Sequence, residues 1–434
     1  MSTKINEFTT NFLNFTTDAT SPYQVVETCS KQFAQAGFVP LDFDRPWELQ
    51  PEGSYYTTLY DTTIFAFRLP KQITGTSRFR LVSSHTDHPG FRIKPNPDIK
   101  GKDILTLNTE TYGGAILNSW LDRPLSIAGK VTLKSDSLFQ PESRLLDFKR
   151  PLLTIPSLAI HMNPSVNSGV ALNKQTDLSP IFDTEPADTE PGFQSFLADE
   201  LSVSPDAILD YDLSVYNAET GVLLGKNQEL ISCPRLDNLT SVYASIQGLI
   251  EADTPEEDIL VCACYNNEEV GSRTKQGADS SLTSIILEKI FHCCFDANQT
   301  FASALFRSFM ISADVAHATH PNYKEKNDPT NFVLLNQGVA LKINGNQKYA
   351  TDPDAIGVVQ QICLHYDIPF QKYVNRSDIA GGSTLGSISS AWLPMRTVDL
   401  GIPILAMHSA RETAGVQDEY SLFCLLRAYF SAEE

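Results

Sequence analysis

The chain has 434 residues, 42% of them hydrophobic and 20% charged, with a formal net charge of −19. That length exceeds one ordinary core, so two domains are expected. The acidic balance argues against nucleic acid and anionic membranes as partners, and no run approaches the roughly 18–20 apolar residues that span a bilayer.

The first residues, MSTKINEFTTNF, carry no hydrophobic signal core. The eight cysteines include no CxxC pair. A cytoplasmic, thiol-reducing setting is therefore expected. The N-terminal segment reads as helix. Ser21 serves as N-cap, Pro22 as a first-turn proline, Gln24 as the capping-box acceptor and Gly37 as the stop. Strand-like runs follow at 55–59, 63–69 and 78–84, and the last delivers His85 and Asp87.

From about residue 89 to 228 short alternating segments recur, such as ILTLNTETY, SIAGKVTL and LLTIPSLAIH, with Gly and Pro between them. This pattern predicts an antiparallel β-rich unit with an acidic loop at DTEPADTEPG. After Leu230 the texture turns α/β. Helices are expected at 238–252, 280–291, 354–366 and 417–430, and strands at 259–265, 306–312, 339–343 and 402–407.

Five residues stand where apolar, strand-like runs give way to polar turns: His85, Asp237, Glu269, Asp314 and His408. Open α/β sheets bind ligands at the carboxyl ends of their strands. Two imidazoles and three carboxylates suit two divalent ions, zinc first, with cobalt or manganese accepted. Such ions need a bridging carboxylate. The expected partition puts His85 and Asp314 on one metal, Glu269 and His408 on the other, and Asp237 between them. Glu268, beside Glu269, is placed to act as general base. Asp87, two residues after His85, is placed to bond the second ring nitrogen of that imidazole. Each motif alone is weak, because a lone His or Asp after a strand is commonly a cap and a Glu-Glu pair a solvated surface. Their joint occurrence in this order carries the argument. His85 precedes the β-rich unit and the other ligands follow it. The catalytic domain is thus expected to be discontinuous, over 1–88 and 231–434, with 89–230 inserted.

These residues lie in long motifs that resemble the aspartyl aminopeptidases, closest to bacterial members. They are HTDHPGFRIKPNP, YGGAILNSWLDRPLSIAGKV, IPSLAIHMN, PRLDN, NNEEVGS, SADVAHATHPNY, LKINGNQKYATD, NRSDIAGGSTLG and MHSARE. The resemblance runs nearly end to end. It implies an α/β, mixed-sheet zinc-exopeptidase catalytic domain with an inserted β-rich dimerisation domain. It also implies a homo-oligomer, with dimers assembling into a tetrahedral dodecamer, acting on peptides. The metal ligands it implies are the five above, with Glu268 as general base and Asp87 as supporting acid. His161, in the AIH segment, would reach into a neighbouring subunit's site. Lys342 and Tyr349, in the K-x-N-x-x-Q-x-Y segment, would line the substrate pocket.

The function implied is removal of N-terminal Asp or Glu from peptides by a water that two metals activate. An aminopeptidase of neutral or hydrophobic preference, a related deacylase or carboxypeptidase, and a non-catalytic assembly protein stand as alternatives. Arg376 is a second cation beside the Gly-rich stretch 381–386, which reads as a loop and lacks the Gly-Lys-Ser/Thr of a phosphate cradle. His88, Val315, His317 and His320 are expected at the edges of the site or in packing roles.

Overall fold

The computed structural model describes residues 3–169, 171–184, 192–296, 298–379 and 381–433. The chain divides into two compact units. The first comprises Met1–Asp87, Gly221–Met407 and Glu412–Glu434, and the second His88–Thr220 with His408–Arg411. The later boundary falls at Thr220/Gly221, earlier than expected, because Val222–Leu224 pairs with Leu230–Cys233 as a hairpin of the first unit. The return of His408–Arg411 to the second unit has no signal in the sequence.

The first unit is built on a nine-stranded mixed sheet. Its order is Val39–Pro40, Ser54–Leu59, Thr63–Arg68, Ile259–Tyr265, Phe79–His85, Phe309–Ala313, Arg396–Gly401, Val339–Lys342 and Phe370–Tyr373. Ile259–Tyr265, Phe79–His85, Phe309–Ala313 and Arg396–Gly401 run parallel at its centre. Alternate residues feed two cores. Cys262 and Cys264 join Val82, Ile311 and Leu239 on one face. Val261, Ala263 and Tyr265 join Leu81, Met310 and Ile286 on the other. Burial on both faces explains why 259–265 reads as an unbroken apolar run, since a strand with one wet face alternates. The parallel register aligns Tyr265 with His85, so the polar turns that follow these strands emerge on one edge of the sheet.

Some elements differ from expectation. The strand expected over 306–312 begins at Phe309, because Phe301–Arg307 is a helix whose cap, Thr300, accepts from the Ser303 N–H. Residues 402–407 hold only the short strand Pro403–Leu405. Leu385 and Gly386 open a helix, Leu385–Trp392, where a loop was expected. At Pro22–Gln35 the Ser21 hydroxyl donates to the Gln24 side chain and caps no backbone N–H. A five-stranded sheet, Val222–Leu224, Leu230–Cys233, Glu412–Gly415, Pro403–Leu405 and Ala316–His317, completes the unit's strands.

The second unit is a six-stranded antiparallel sheet in the order Glu142–Asp147, Leu125–Leu133, Ile208–Asn217, Gly90–Lys100, Leu105–Tyr112 and Ile181–Asp183. Helix Phe193–Leu201 adds Phe193 and Leu197 to its apolar core, and Phe196 stacks on Phe148 at 5.1 Å. LLTIPSLAIH is not a strand. It makes two isolated bridges, Leu125↔Leu153 and Thr154↔Ile181, then turns at Ala159–Asn163. Most of the acidic stretch at 183–192 lies outside the described residues. Among the described residues no helix is long and apolar enough to cross a membrane. None of the eight cysteines is disulfide-bonded.

Candidate metal centre

Three strand ends and one helix start of the first unit deliver the candidate ligands. His85 is the last residue of Phe79–His85. Asp314 follows Phe309–Ala313 directly, and its N–H donates to the Leu400 carbonyl at 2.8 Å. Glu268 and Glu269 occupy a single 3₁₀ turn after Ile259–Tyr265, entered at Asn267 with φ +64° and left at Gly271 with φ +97°. Asp237 stands at the start of helix Leu236–Ile250 with non-helical angles, φ −78° and ψ 106°, and a cis peptide bond to Asn238. The Asn238 amide donates to the Ala313 carbonyl at 2.9 Å, which ties this turn to the strand that carries Asp314.

These residues converge. Each of His85, Asp237 and Glu269 offers a ligand atom, and those atoms lie within 4.8 Å of one another. His85 Nε2 is 3.4 Å from Asp237 Oδ1 and 3.6 Å from Asp314 Oδ1. His85 is 1% exposed and Asp237 3%, so little solvent screens the group.

The electrostatics of the cluster suit a cation. Burial disfavours a charged His85, yet Asp237, Asp314 and Asp87 together hold its imidazolium well above the ordinary range. Burial, reinforced by the charge of Asp237, drives Glu269 well above the usual carboxylate range. Burial also lifts Glu268 to about 7, with His85 opposing and Asp314, Asp87 and Asp237 adding to the rise. Asp314 goes the other way: burial would raise it, but Lys342 and His85 hold it low. Buried carboxylates that crowd one imidazole repel one another, and a divalent cation among them reverses that penalty. The donor set, imidazole nitrogen and carboxylate oxygen, is one that zinc takes.

Residues 15–430 match the family described as aminopeptidase I zinc metalloproteases, M18. The chain belongs to the M18 family. A "Probable M18 family aminopeptidase 2" of Clostridium acetobutylicum is 43% identical over 415 residues, 95% of this chain and 96% of that one. Among solved structures, a chain of the Ape4 and Nbr1 complex superposes with a TM-score of 0.94 at 32% identity, covering 98% of this chain and 86% of that one. The S. cerevisiae mApe1 dodecamer is similar at a TM-score of 0.83 and 25% identity, over 97% of this chain and 95% of that one. This M18 chain therefore has the mixed α/β fold of the family and the activity class of a zinc-dependent aminopeptidase.

Within this M18 chain, Asp87 does more than the two-residue spacing from His85 predicts. Its carboxylate accepts the backbone N–H of Glu268 and that of Glu269, each at 3.1 Å. The His85 Nδ1 lies 3.0 Å from the Asp87 backbone carbonyl and 3.5 Å from the carboxylate. Asp87 thus fixes the turn that carries the Glu pair, while its main chain faces the ring. Lys342 is 2% exposed, 3.3 Å from Asp314 Oδ2 and 5.5 Å from the Tyr349 ring centroid. Tyr349 is itself buried, and its hydroxyl accepts from the Asn375 amide at 3.3 Å.

His408 falls in the second unit, where its Nδ1 is 3.2 Å from the Gly114 carbonyl and its φ is +67°. His161 is exposed in the Ala159–Asn163 turn, and His88 is buried at the start of the same unit. His317, His320 and Arg376 of the first unit line a separate cavity of about 260 Å³ with Tyr373 and Asn375, where Arg376 donates to Asp378 at 2.7 Å. The Val315 side chain is packed in the apolar core. One residue the sequence left without a role is Glu412, whose carboxylate accepts the Asp237 N–H at 3.0 Å. Its only signal was its place in MHSARE.

Proposed function

We propose that this chain removes N-terminal residues, preferentially Asp or Glu, from peptides at a site for two zinc ions, with cobalt or manganese as substitutes. The observation that carries this reading is the convergence of buried His85 and Asp237 with half-buried Glu269, with Glu268 on the same turn as Glu269. His85 and Asp314 would hold one ion and Glu269 and His408 the other, with Asp237 as the ligand they would share. When bound, the ions supply Lewis-acid polarisation of the scissile carbonyl and acidity to an attacking water.

The residues of the chain do the rest. Glu268, on the turn that also carries Glu269, accepts a proton from the attacking water and returns it to the leaving amine. Asp87, through the two N–H groups it accepts, keeps Glu268 and Glu269 on opposite errands within one turn. Lys342 and Tyr349 receive the side chain of the N-terminal residue. His161, exposed in its turn, completes the site of a neighbouring subunit in a homo-oligomer, where dimers of the inserted unit build a tetrahedral dodecamer. The dodecameric S. cerevisiae relative supports that assembly, and eight cysteines without a disulfide suit a cytoplasmic setting.

A second reading, neutral or hydrophobic preference, is favoured by one observation: Asp314 already pairs with Lys342, so a substrate carboxylate would share that cation. Hydrolysis of Asp-, Glu- and Leu-terminal peptides separates the two. The assay is run after chelation and again after zinc, cobalt or manganese is restored. The expected result is metal-dependent cleavage of Asp or Glu termini, lost in Glu268→Gln with bound metal unchanged. A Leu preference sinks the acidic reading. No cleavage by assembled, metal-loaded protein sinks the catalytic mechanism.

A further inference from the structure

The Gly-rich segment NRSDIAGGSTLG and the carboxylate of Asp399 play no part in the mechanism above. Asp399 is fully buried in the Arg396–Gly401 strand. On one side the parallel register sets it opposite Ser312, two residues before Asp314. On the other side the antiparallel pairs Ala340↔Gly401 and Leu341↔Leu400 make Lys342 its next partner. Cross-strand partners in an antiparallel pair point to the same face. Burial disfavours the Lys342 charge, and Asp314, Tyr349 and Asp399 restore it.

The Asp399 carboxylate also gathers two loops. Oδ2 accepts the Ala350 N–H at 2.6 Å, directly after Tyr349. Oδ1 accepts the Thr384 hydroxyl at 2.6 Å. The Asp399 N–H donates to Thr351 Oγ1 at 2.9 Å. A Cβ at position 386 would stand 2.5 Å from both carboxylate oxygens, so Gly386 is what lets the helix start come this close.

The geometry points to Asp399 as a positioning residue that sets where Lys342 and Tyr349 stand, and so which N-terminal residue the enzyme accepts. This rests on the reading that Lys342 and Tyr349 face the substrate. Asp314 is a proposed metal ligand, whereas Asp399 lies on the strand beside Lys342 and holds the two loops, so it can keep lysine and tyrosine in register whether or not metal is bound.

The test is Asp399→Asn, which keeps an acceptor for Thr384 but turns an amide N–H toward Ala350 or loses one contact. Kinetics are measured on Asp-, Glu- and Leu-terminal peptides, together with bound zinc. The expected result is a KM for the preferred peptide raised about tenfold or more, a flattened ratio between peptides, and kcat within about threefold. Bound zinc should not change. An unchanged ratio between peptides, or a loss spread equally over all three, overturns the proposal. If Asp399→Asn does not fold, Thr384→Val carries the same test with a smaller shift, and Thr384→Ser should restore the wild-type ratio. The ratio is referred to the wild type's own ranking. A wild type that prefers Leu would therefore defeat the acidic reading and still leave this test standing.

Discussion

No Asp, Glu, Lys or Arg among the described residues of the second unit is buried; its buried polar side chains are His88, Thr109, Ser126, Ser214 and Asn217. The first unit buries Asp87, Arg235, Asp237, Asp258, Lys342, Asp399, Glu412, Asp418 and Glu419. Both units have apolar cores of ordinary kind, so the difference is not one of compactness. Burying charge is costly unless it is paired, hydrogen-bonded or metal-bound. A unit that carries so much of it has traded stability for a prepared site. The second unit keeps its imidazoles at 161 and 408 in turns and its interior largely apolar, as expected of a scaffold.

That contrast can be broken by mutation. Phe193→Ala removes a fully buried aromatic from the second unit's core and should lower stability by about 3–5 kcal/mol. Denaturant unfolding measures it, and a cost below about 1 kcal/mol would mean that this core is not what holds the unit together. In the first unit the sharper loss should be in rate. Asp87→Asn leaves an amide with one acceptor facing two backbone N–H groups, and should lower kcat about 10–100-fold with modest loss of stability. Stability falling with kcat intact would assign Asp87 to folding alone.

The smallest effect concerns Glu419, whose two oxygens are buried without a hydrogen-bond partner among the described residues. Burial, helped by Asp418, raises its carboxyl well above the ordinary carboxylate value of 4.5. The folded state therefore holds a proton that the unfolded state gives up. Its contribution to stability is fully present below pH 4.5 and is lost as pH rises through the folded value. Glu419→Gln should flatten the stability curve above pH 4.5 by a small margin, seen in unfolding midpoints across pH 5–9. Parallel curves for the two proteins would show that Glu419 finds a partner when ionised.

What was legible in the sequence follows from how far each interaction reaches along the chain. Ile259–Tyr265 could be read to the residue, because burial on both faces forces an unbroken apolar run. The positions of His85 and Asp314 at strand ends, and of the Glu pair in the turn after Ile259–Tyr265, could be read because apolar runs give way to polar residues there. The helix Leu385–Trp392 was hidden by Gly386 and three serines, which local propensity assigns to a loop. The partners of Asp87 and Glu412 were hidden for another reason. Their contacts span 181, 182 and 175 residues, so nothing near them in the chain announces the backbone they hold. His161 was placed at a strand end, and the turn at Ala159–Asn163 replaces that strand because Pro156 and Pro164 flank it and no ladder partner is supplied.

Residues His408–Arg411 belong to a unit whose main segment ended at Thr220. Ala410 is 3% exposed in that unit's core, and its carbonyl accepts the Asn217 amide at 3.0 Å across 193 residues. Its N–H donates to the Ser119 hydroxyl at 2.9 Å. During synthesis, the ribosome releases the sheet of the second unit long before it releases those four residues. The unit therefore waits, with a gap in its core and two hydrogen bonds still unmade, until nearly the whole chain has been made. Cutting residues 88–220 out as an independent fragment would make that wait permanent.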